Sequence, residues 1–535
     1  MTSVYNSARV RAANDRAVNE AGRYVLYWCQ MFRRLRANHA LNYAAGWAAK
    51  LKKPLVVYEG LKLNYPWASA RFHKYMLEGM RDSAAAAKEL GVSYWPFVET
   101  PDDPGRGLVR RLCADACLLV TDDYPQFIIP AQIRAVAAAV DVPVYAIDGN
   151  GVVPLGLLGK PTAAAAHLRP KLHKNFPLAW EHRAAAVPDL PKPARVAVDP
   201  PFTVWKPAKD LGAFVATLPV DQAVPPAPGV EGGSVAGHAR LKAFAQTALG
   251  KYADGRSQPA GPDGPSSALS AFLHYGHLGI QEVVEAVLGP DWSPDQINPK
   301  TRNKDDFFTR DPNVNGFLDE AITWRDVGYQ WHFSSGQRTA AGGPNQTWQV
   351  AGEVPAFNFD TFDFSPSRGG VLDRVLPDWA KATLDKHRGD ERPETYTLEQ
   401  LEHADTKDEV WNAGQREMVA TGRMHNYLRM LWGKKVLQWS PTPEEAYRRL
   451  EHLNNKYQYD GRDPNSYTGI LWVFGLFDRP WPPERPIFGN LRYMTSESTA
   501  KKFKLAGYYE YVRSLPRPRQ VRAGTTAPTP PGKLF

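Results

Sequence analysis

From Tyr24 to about Pro154 the chain alternates short apolar runs with longer amphipathic stretches. The runs YVLYW, PLVVYE, VSYWPFVE, ACLLVTDD and VPVYAID are rich in β-branched and aromatic residues, as strands buried on both faces are. Between them, NHALNYAAGWAAKLK and YMLEGMRDSAAAAKELG repeat their apolar positions with a helical period. Strand and helix taken in turn predict a parallel sheet clothed by helices. This α/β domain covers residues 24–186, behind an N-terminal extension at 1–23. No G-x-G-x-x-G turn follows the first strand, so a dinucleotide fingerprint site is not expected.

The pattern then changes. Over residues 187–233 Pro and Gly crowd together and periodicity fades, which reads as an interdomain connector. From 234 to 515 the periodic stretches are nearly all helical and predict a larger, all-α second domain. Within it, residues 334–370 are too polar and Gly-rich for helix and read as an insertion. The Pro-rich segment 516–535 reads as a flexible tail.

Composition removes several classes. No run of about 18 apolar residues occurs, so no transmembrane helix is expected. The N-terminus lacks a signal-peptide core, and a soluble, cytoplasmic, monomeric protein is the expectation. Three cysteines, Cys29, Cys113 and Cys117, cannot close a disulfide framework or supply four thiolates to an iron–sulfur cluster. Cys113 and Cys117 lie four apart, a spacing that would put both on one helical face. They read as buried small hydrophobes, and no metal site is expected. A formal net charge of +9 suits a polyanion, because Lys and Arg that neutralise phosphates release counterions. Charge alone does not choose that partner.

The stretch WNAGQREMVATGRMHNYLRMLWGKKVLQW holds Trp411, Trp432 and Trp439. Trp432 and Trp439 are seven apart, so on one helix they share a face with about 10 Å of rise between them. Trp411 would reach that face from a neighbouring helix, across a break at Thr421-Gly422. Three oxidisable rings in file could pass an electron; spacing alone favours the reading as core aromatics. Downstream, DGRDPN has the composition of a turn, and upstream SSALSAFLHYG has that of a helix start.

GRMHNYLRMLW, LNNKYQYDGRDPNSYTGILW and ERPIFGNLRYM together resemble the photolyase/cryptochrome flavoproteins, in particular class II cyclobutane pyrimidine dimer photolyases. VLYWCQMFRRLRANHALNYA, AIDGNGVVP, SSALSAFLHYGHL and TLEQLEHADTKDEVWNA extend the resemblance over most of the chain. It implies an N-terminal α/β domain joined by a long connector to a helical FAD domain. The implied activity is light-driven repair of UV-damaged DNA, by electron transfer from photoexcited reduced FAD to a flipped-out dimer. Relatives that act as blue-light photoreceptors, or on the (6-4) photoproduct, are the alternatives. Whether an antenna chromophore such as a deazaflavin occupies the α/β domain is left open.

Carried over by position, the resemblance places Asn454 opposite flavin N5 and Asp460 beside the flavin ring, with Arg429 as its partner and Asp463 in the same cofactor-binding turn. Tyr252, Ser266, Ser267, Leu269 and Ser270 match the segment that holds the FAD phosphates. Trp432, Trp411 and Trp439 match the electron-transfer triad, with Trp432 nearest FAD, Trp411 in the middle and Trp439 near solvent. On the lesion side, Glu320 matches the glutamate that hydrogen-bonds the dimer, and Trp472 and Trp481 the tryptophans of its pocket. Asn426 and Met430 border that pocket, and Arg479 and Arg492 brace the duplex gap. Lys434, Lys435 and Arg485 are candidates for phosphate contacts. The sequence departs from the class II pattern at Trp324-Arg325-Asp326, Asn426, VFGLFDRPW and Asn490, all on the lesion side.

Overall fold

The structure is a computed structural model that describes residues 4–298, 305–335 and 371–516. The insertion read at 334–370 and the tail read at 516–535 therefore lie almost wholly outside the described residues. Six strands form one sheet: β1 (Val10–Ala12), β2 (Tyr24–Cys29), β3 (Leu55–Leu61), β4 (Ser93–Val98), β5 (Ala116–Asp122) and β6 (Val144–Ile147). Their spatial order is β1-β6-β5-β2-β3-β4. All neighbours are parallel except β1, which runs antiparallel to β6. The five longer strands are the five apolar runs. Their alternate residues feed two separate cores, Val25, Tyr27 and Cys29 on one face and Tyr24, Leu26 and Trp28 on the other. Burial on both faces explains why these strands read as continuous apolar runs.

The stretch read as an extension supplies the edge strand. Arg9, fully buried beside it, donates from Nη1 to the carbonyls of Asp148 and Gly151 at 2.9 and 3.2 Å. Burial pushes its pKa down to about 10. Cys113 and Cys117 do not share a helix: Cys113 ends a short helix, Leu108–Ala114, and Cys117 lies in β5. All three cysteines are free and buried.

Helix α1 (His39–Leu51) begins at Asn38, whose side chain accepts from the amides of Ala40 and Leu41. Helix α2 (Ala70–Leu90) leaves the sheet and packs along α3 (Gly233–Ala243), the first helix after the connector. Arg71 of α2 ties three segments together. Its Nε donates to Pro225 O at 3.0 Å, its Nη1 to Tyr457 O at 2.7 Å and its Nη2 to Val419 O at 2.7 Å. A planar guanidinium offers several donors at fixed angles, and three carbonyls use them, two of them buried.

The helical domain continues with α4 (Ser270–His274), α5 (Arg325–Ser335), α6 (Glu409–Thr421), α7 (Asn426–Trp439), α8 (Pro443–Tyr457) and α9 (Pro464–Val473). Side-chain caps start three of them: Asp408 on Trp411 N for α6, Thr442 on Glu445 N for α8 and Asp463 on Ser466 N for α9. Gly422 ends α6 at φ +72°, where a Cβ would meet the Tyr459 ring at 2.4 Å. No helix of the described residues is long and apolar enough to cross a membrane.

Candidate active site

Helices α6 and α7 bring the three tryptophans together. The Trp411 and Trp432 rings are nearly parallel, with centroids 6.4 Å apart and planes 7° apart. Trp439 meets Trp411 edge-on at 5.4 Å. Trp411 thus stands between the other two. Trp432 Nε1 donates to Gln415 Oε1 at 2.9 Å and Trp411 Nε1 to Trp432 O at 3.1 Å, which pins both indoles. Trp439 is not near solvent: it is 2% exposed. The file continues to Tyr396, a residue sequence reasoning missed, whose ring meets Trp439 edge-on at 5.0 Å. Half-buried Tyr396 donates to Glu394 Oε2 at 3.2 Å and accepts from Lys407 N at 3.1 Å. Its proximity in sequence to Trp411 was the one available signal.

One helical turn before Trp432, Arg429 donates from Nη2 to both oxygens of Asp460, each at 3.1 Å. Its Nε is held by Met424 O at 3.1 Å. Asp460 sits in the tight turn DGRDPN. A Cβ on Gly461 would lie 2.9 Å from Asn454 O and 3.0 Å from Gln458 O, so the turn requires glycine. Asp463 is occupied as the cap of α9, accepting from Ser466 N at 2.6 Å. Burial, reinforced by Asp460, pushes its pKa up to about 7. Asn454, at the end of α8, is buried; its Nδ2 donates to Asn455 Oδ1 at 3.0 Å, and among the described residues its Oδ1 has no hydrogen-bond partner.

The candidate phosphate segment precedes α4. Arg240 of α3 grips its backbone, donating from Nη2 to Ser266 O at 2.6 Å and from Nε to Ser267 O at 2.8 Å. Ser266 and Ser270 are exposed, Ser267 is half-buried and Leu269 is buried. Helix α4 has only five residues, so its dipole adds little to anion binding. Positive charge comes instead from arginines. Arg423, which the sequence did not single out, is half-buried, makes no side-chain hydrogen bond among the described residues and lies close enough to Arg240 to lower its pKa further. Tyr252 is buried and edge-on to Phe317 at 5.2 Å.

Glu320 belongs to a π-helical turn, Asp319–Trp324, that leads into α5. Its carboxylate pairs with Arg256 Nη1. The carbonyl of Arg256 is bonded by His425 Nε2 at 3.1 Å, one residue before α7. Glu320 is therefore linked by two contacts to the helix that carries Arg429 and Trp432. Asn426 is exposed at the first position of α7 and half-buried Met430 follows one turn later.

The structure does not bring the rings of Trp472 and Trp481 into contact. Trp472 stacks on Trp324, with centroids 5.7 Å apart and planes 26° apart. Trp324 is 36% exposed, and its Nε1 donates to Asp319 Oδ2 at 3.1 Å while Arg169 clamps Asp319. Trp481 makes no ring contact with Trp472. It lies between two guanidiniums, Arg479 at 4.5 Å and Arg492 at 4.2 Å from its ring, and donates to Asp478 Oδ1 at 2.9 Å. Arg492 Nε also donates to Asp478, at 2.9 Å, so one carboxylate organises this aromatic and cationic knob. Two of the three lysine and arginine candidates for phosphate are engaged inside the protein. Lys434 is buried and donates to Val473 O at 2.6 Å, and Lys435 pairs with Asp408 at 3.3 Å. Arg485 is exposed over the Tyr493 ring.

A concavity of about 620 Å³ opens beyond the carboxyl ends of the strands, where the order reverses between β2 and β5. Such switch points are the usual ligand crevices of doubly wound sheets. Trp28, Arg33, Tyr58 and Phe97 line it, and Tyr275 and Arg462 close it from the helical domain.

An α/β domain feeding a helical domain in this way is the fold of photolyases and cryptochromes. A class III photolyase from Agrobacterium tumefaciens superposes with a TM-score of 0.59 at 17% identity, covering 92% of this chain and 86% of its own. A Synechocystis cryptochrome superposes with a TM-score of 0.60 at 14% identity, covering 91% and 88%. No family model matches the sequence. Its relatives are nearer: it is 31% identical over 525 residues to the deoxyribodipyrimidine photo-lyase of Oryza sativa, covering 95% of this chain and 91% of that protein. It is 29% identical over 514 residues to that of Methanothermobacter thermautotrophicus, covering 95% and 99%. The chain belongs to the deoxyribodipyrimidine photo-lyase family.

Proposed function

We propose that the chain binds FAD in its helical domain and uses blue light to split cyclobutane pyrimidine dimers in DNA. The observation that carries this reading is the run of contacts Glu320–Arg256–His425, which joins the carboxylate on the lesion side to the helix bearing the Arg429–Asp460 pair and Trp432. Two groups in this region fit the cofactor. Arg423 is a cation without an acceptor, suited to a phosphate, and the free Oδ1 of Asn454 suits a ring N–H.

A bound, reduced FAD supplies light-driven electron donation to the dimer. Around it the chain positions and stabilises; no side chain acts as a nucleophile. Asp460, neutralised by Arg429, is a fixed carboxylate that costs little to keep near a flat ring system. Trp324 and Trp472 form an apolar wall against which unstacked bases rest. Glu320 accepts hydrogen bonds from the flipped bases once Arg256 shares it. The Arg479–Trp481–Arg492 knob fills the gap left in the duplex. Trp432, Trp411, Trp439 and Tyr396 form an inward path for an electron from the surface. The crevice at the sheet's switch point has the size and aromatic lining for a second, light-gathering chromophore.

The test is direct. The purified, reduced protein is illuminated with an oligonucleotide that carries one thymine dimer, and dimers are counted against a dark control. Light-dependent loss of dimers is expected. Bound FAD with no such loss would reject repair and leave a photoreceptor.

A further inference from the structure

We infer that Asn455 is a positioning residue that fixes which end of the Asn454 side-chain amide faces the flavin. The inference rests on the FAD reading above and concerns the residue next to the one that reading uses.

Asn455 is completely buried in α8. Its Oδ1 accepts two hydrogen bonds, from Arg462 N at 2.9 Å and from Asn454 Nδ2 at 3.0 Å. A side-chain amide can turn over, but the backbone N–H of Arg462 can only donate. Asn455 must therefore present its oxygen there, and its Nδ2 points the other way, to Tyr467 OH at 3.0 Å. Tyr467, also fully buried, interacts in turn with Glu451, whose carboxyl burial drives up to about 7. Tyr447 is the other titratable group against Glu451, itself facing Arg374. The bonds run in one sense from Asn454 through Asn455 to Tyr467.

The consequence falls on Asn454. Its Nδ2 is committed to Asn455 Oδ1; turning the amide over would set oxygen against oxygen and bury an unpaired donor. That reversal costs about 1–3 kcal/mol in a buried site. The free Oδ1 is then what the ring meets. An acceptor favours the flavin when its N5 carries a proton, in the reduced form, and opposes it when N5 holds only a lone pair. The turn that delivers Arg462 N is the one that requires Gly461, where a Cβ would lie 3.1 Å from Asn455 Cα.

Potentiometric titration of the bound flavin tests this without any repair assay. Asn455→Ala should retain FAD yet lower the preference for the reduced form about tenfold, close to 30 mV in the two-electron midpoint potential. Asn455→Leu, which keeps the volume, should shift it in the same direction if the alanine variant does not fold. Asn455→Asp keeps an oxygen for both Arg462 N and Asn454 Nδ2 in either protonation state, and should restore most of the preference. In an Asn454→Ala background, Asn455→Ala should add nothing further. Unchanged potential in Asn455→Ala or Asn455→Leu with FAD bound would overturn the inference, as would a shift undiminished in the Asn454→Ala background or no rescue by aspartate. A wild-type chain that neither carries nor takes up FAD would instead overturn the flavin reading itself.

Discussion

Lys434→Met should alter how stability depends on pH. Lys434 lies on α7, two residues beyond Trp432, with its amine sealed beneath the Asp478–Arg492–Trp481 knob. Burial drives its pKa from the ordinary 10.5 down to about 7; Asp478 opposes the fall and Arg492 adds to it. The unfolded chain takes up a proton here below 10.5, whereas the folded chain does so only near 7. Stability from this side chain is therefore fully present above 10.5 and lost as pH falls toward 7, at up to about 1.4 kcal/mol per pH unit. Between pH 9 and pH 6 the loss is about 2–3 kcal/mol. Methionine fills the same channel and does not titrate, at a cost of about 1 kcal/mol for the orphaned Val473 carbonyl. The variant's stability relative to wild type should accordingly be about 2–3 kcal/mol more favourable at pH 6 than at pH 9. Urea unfolding followed by tryptophan fluorescence at both pH values measures it. An equal difference at the two pH values, to within about 0.5 kcal/mol, would refute a neutral, buried Lys434.

Other outcomes follow from the site. Trp411→Phe removes the ring between Trp432 and Trp439, and should abolish light-driven flavin reduction while FAD content and repair by chemically reduced protein persist; bleaching of the flavin absorption reads the first. Tyr396→Phe leaves the three indoles intact and should lower the yield of the same photoreduction less than Trp411→Phe does; an equal loss would mean that the indoles alone do not suffice. Trp324→Ala should weaken binding of dimer-containing DNA by about 1–3 kcal/mol, roughly five- to 150-fold, with flavin binding unchanged, as a gel-shift titration at fixed salt would show.

The sheet was largely legible because its strands are buried on both faces, which leaves continuous apolar runs. The exception is β1, where Arg11 occupies the centre of three residues and no period can register. The sharing of a face by Trp432 and Trp439 follows from their spacing on one helix. The depth of Trp439 does not, because the segment around Tyr396 covers it from elsewhere in the chain. That Trp472 stacks on Trp324 was not legible for a similar reason: the two rings come from separate segments, and spacing within either carries no trace of how they pack. Lys434 looked like a surface cation because Lys usually is one; only the end of α9 folding over it makes it a buried amine. The turn reading of DGRDPN holds: Asp463 caps a helix while Asp460 faces Arg429.

Arg71 bears on what can be separated. The residue belongs to the α/β half, yet two of the three carbonyls it satisfies belong to the helical half, at the ends of α6 and α8. Tyr457 lies three residues from Asn454 and from Asp460, so the donor that steadies this turn comes from the opposite side of the connector. A fragment beginning at residue 234 would leave the carbonyls of Tyr457 and Val419 buried without a donor, each at a cost of about 1–3 kcal/mol. The half proposed to hold the cofactor thus takes part of its support from the α/β half, whether or not that half carries a pigment of its own.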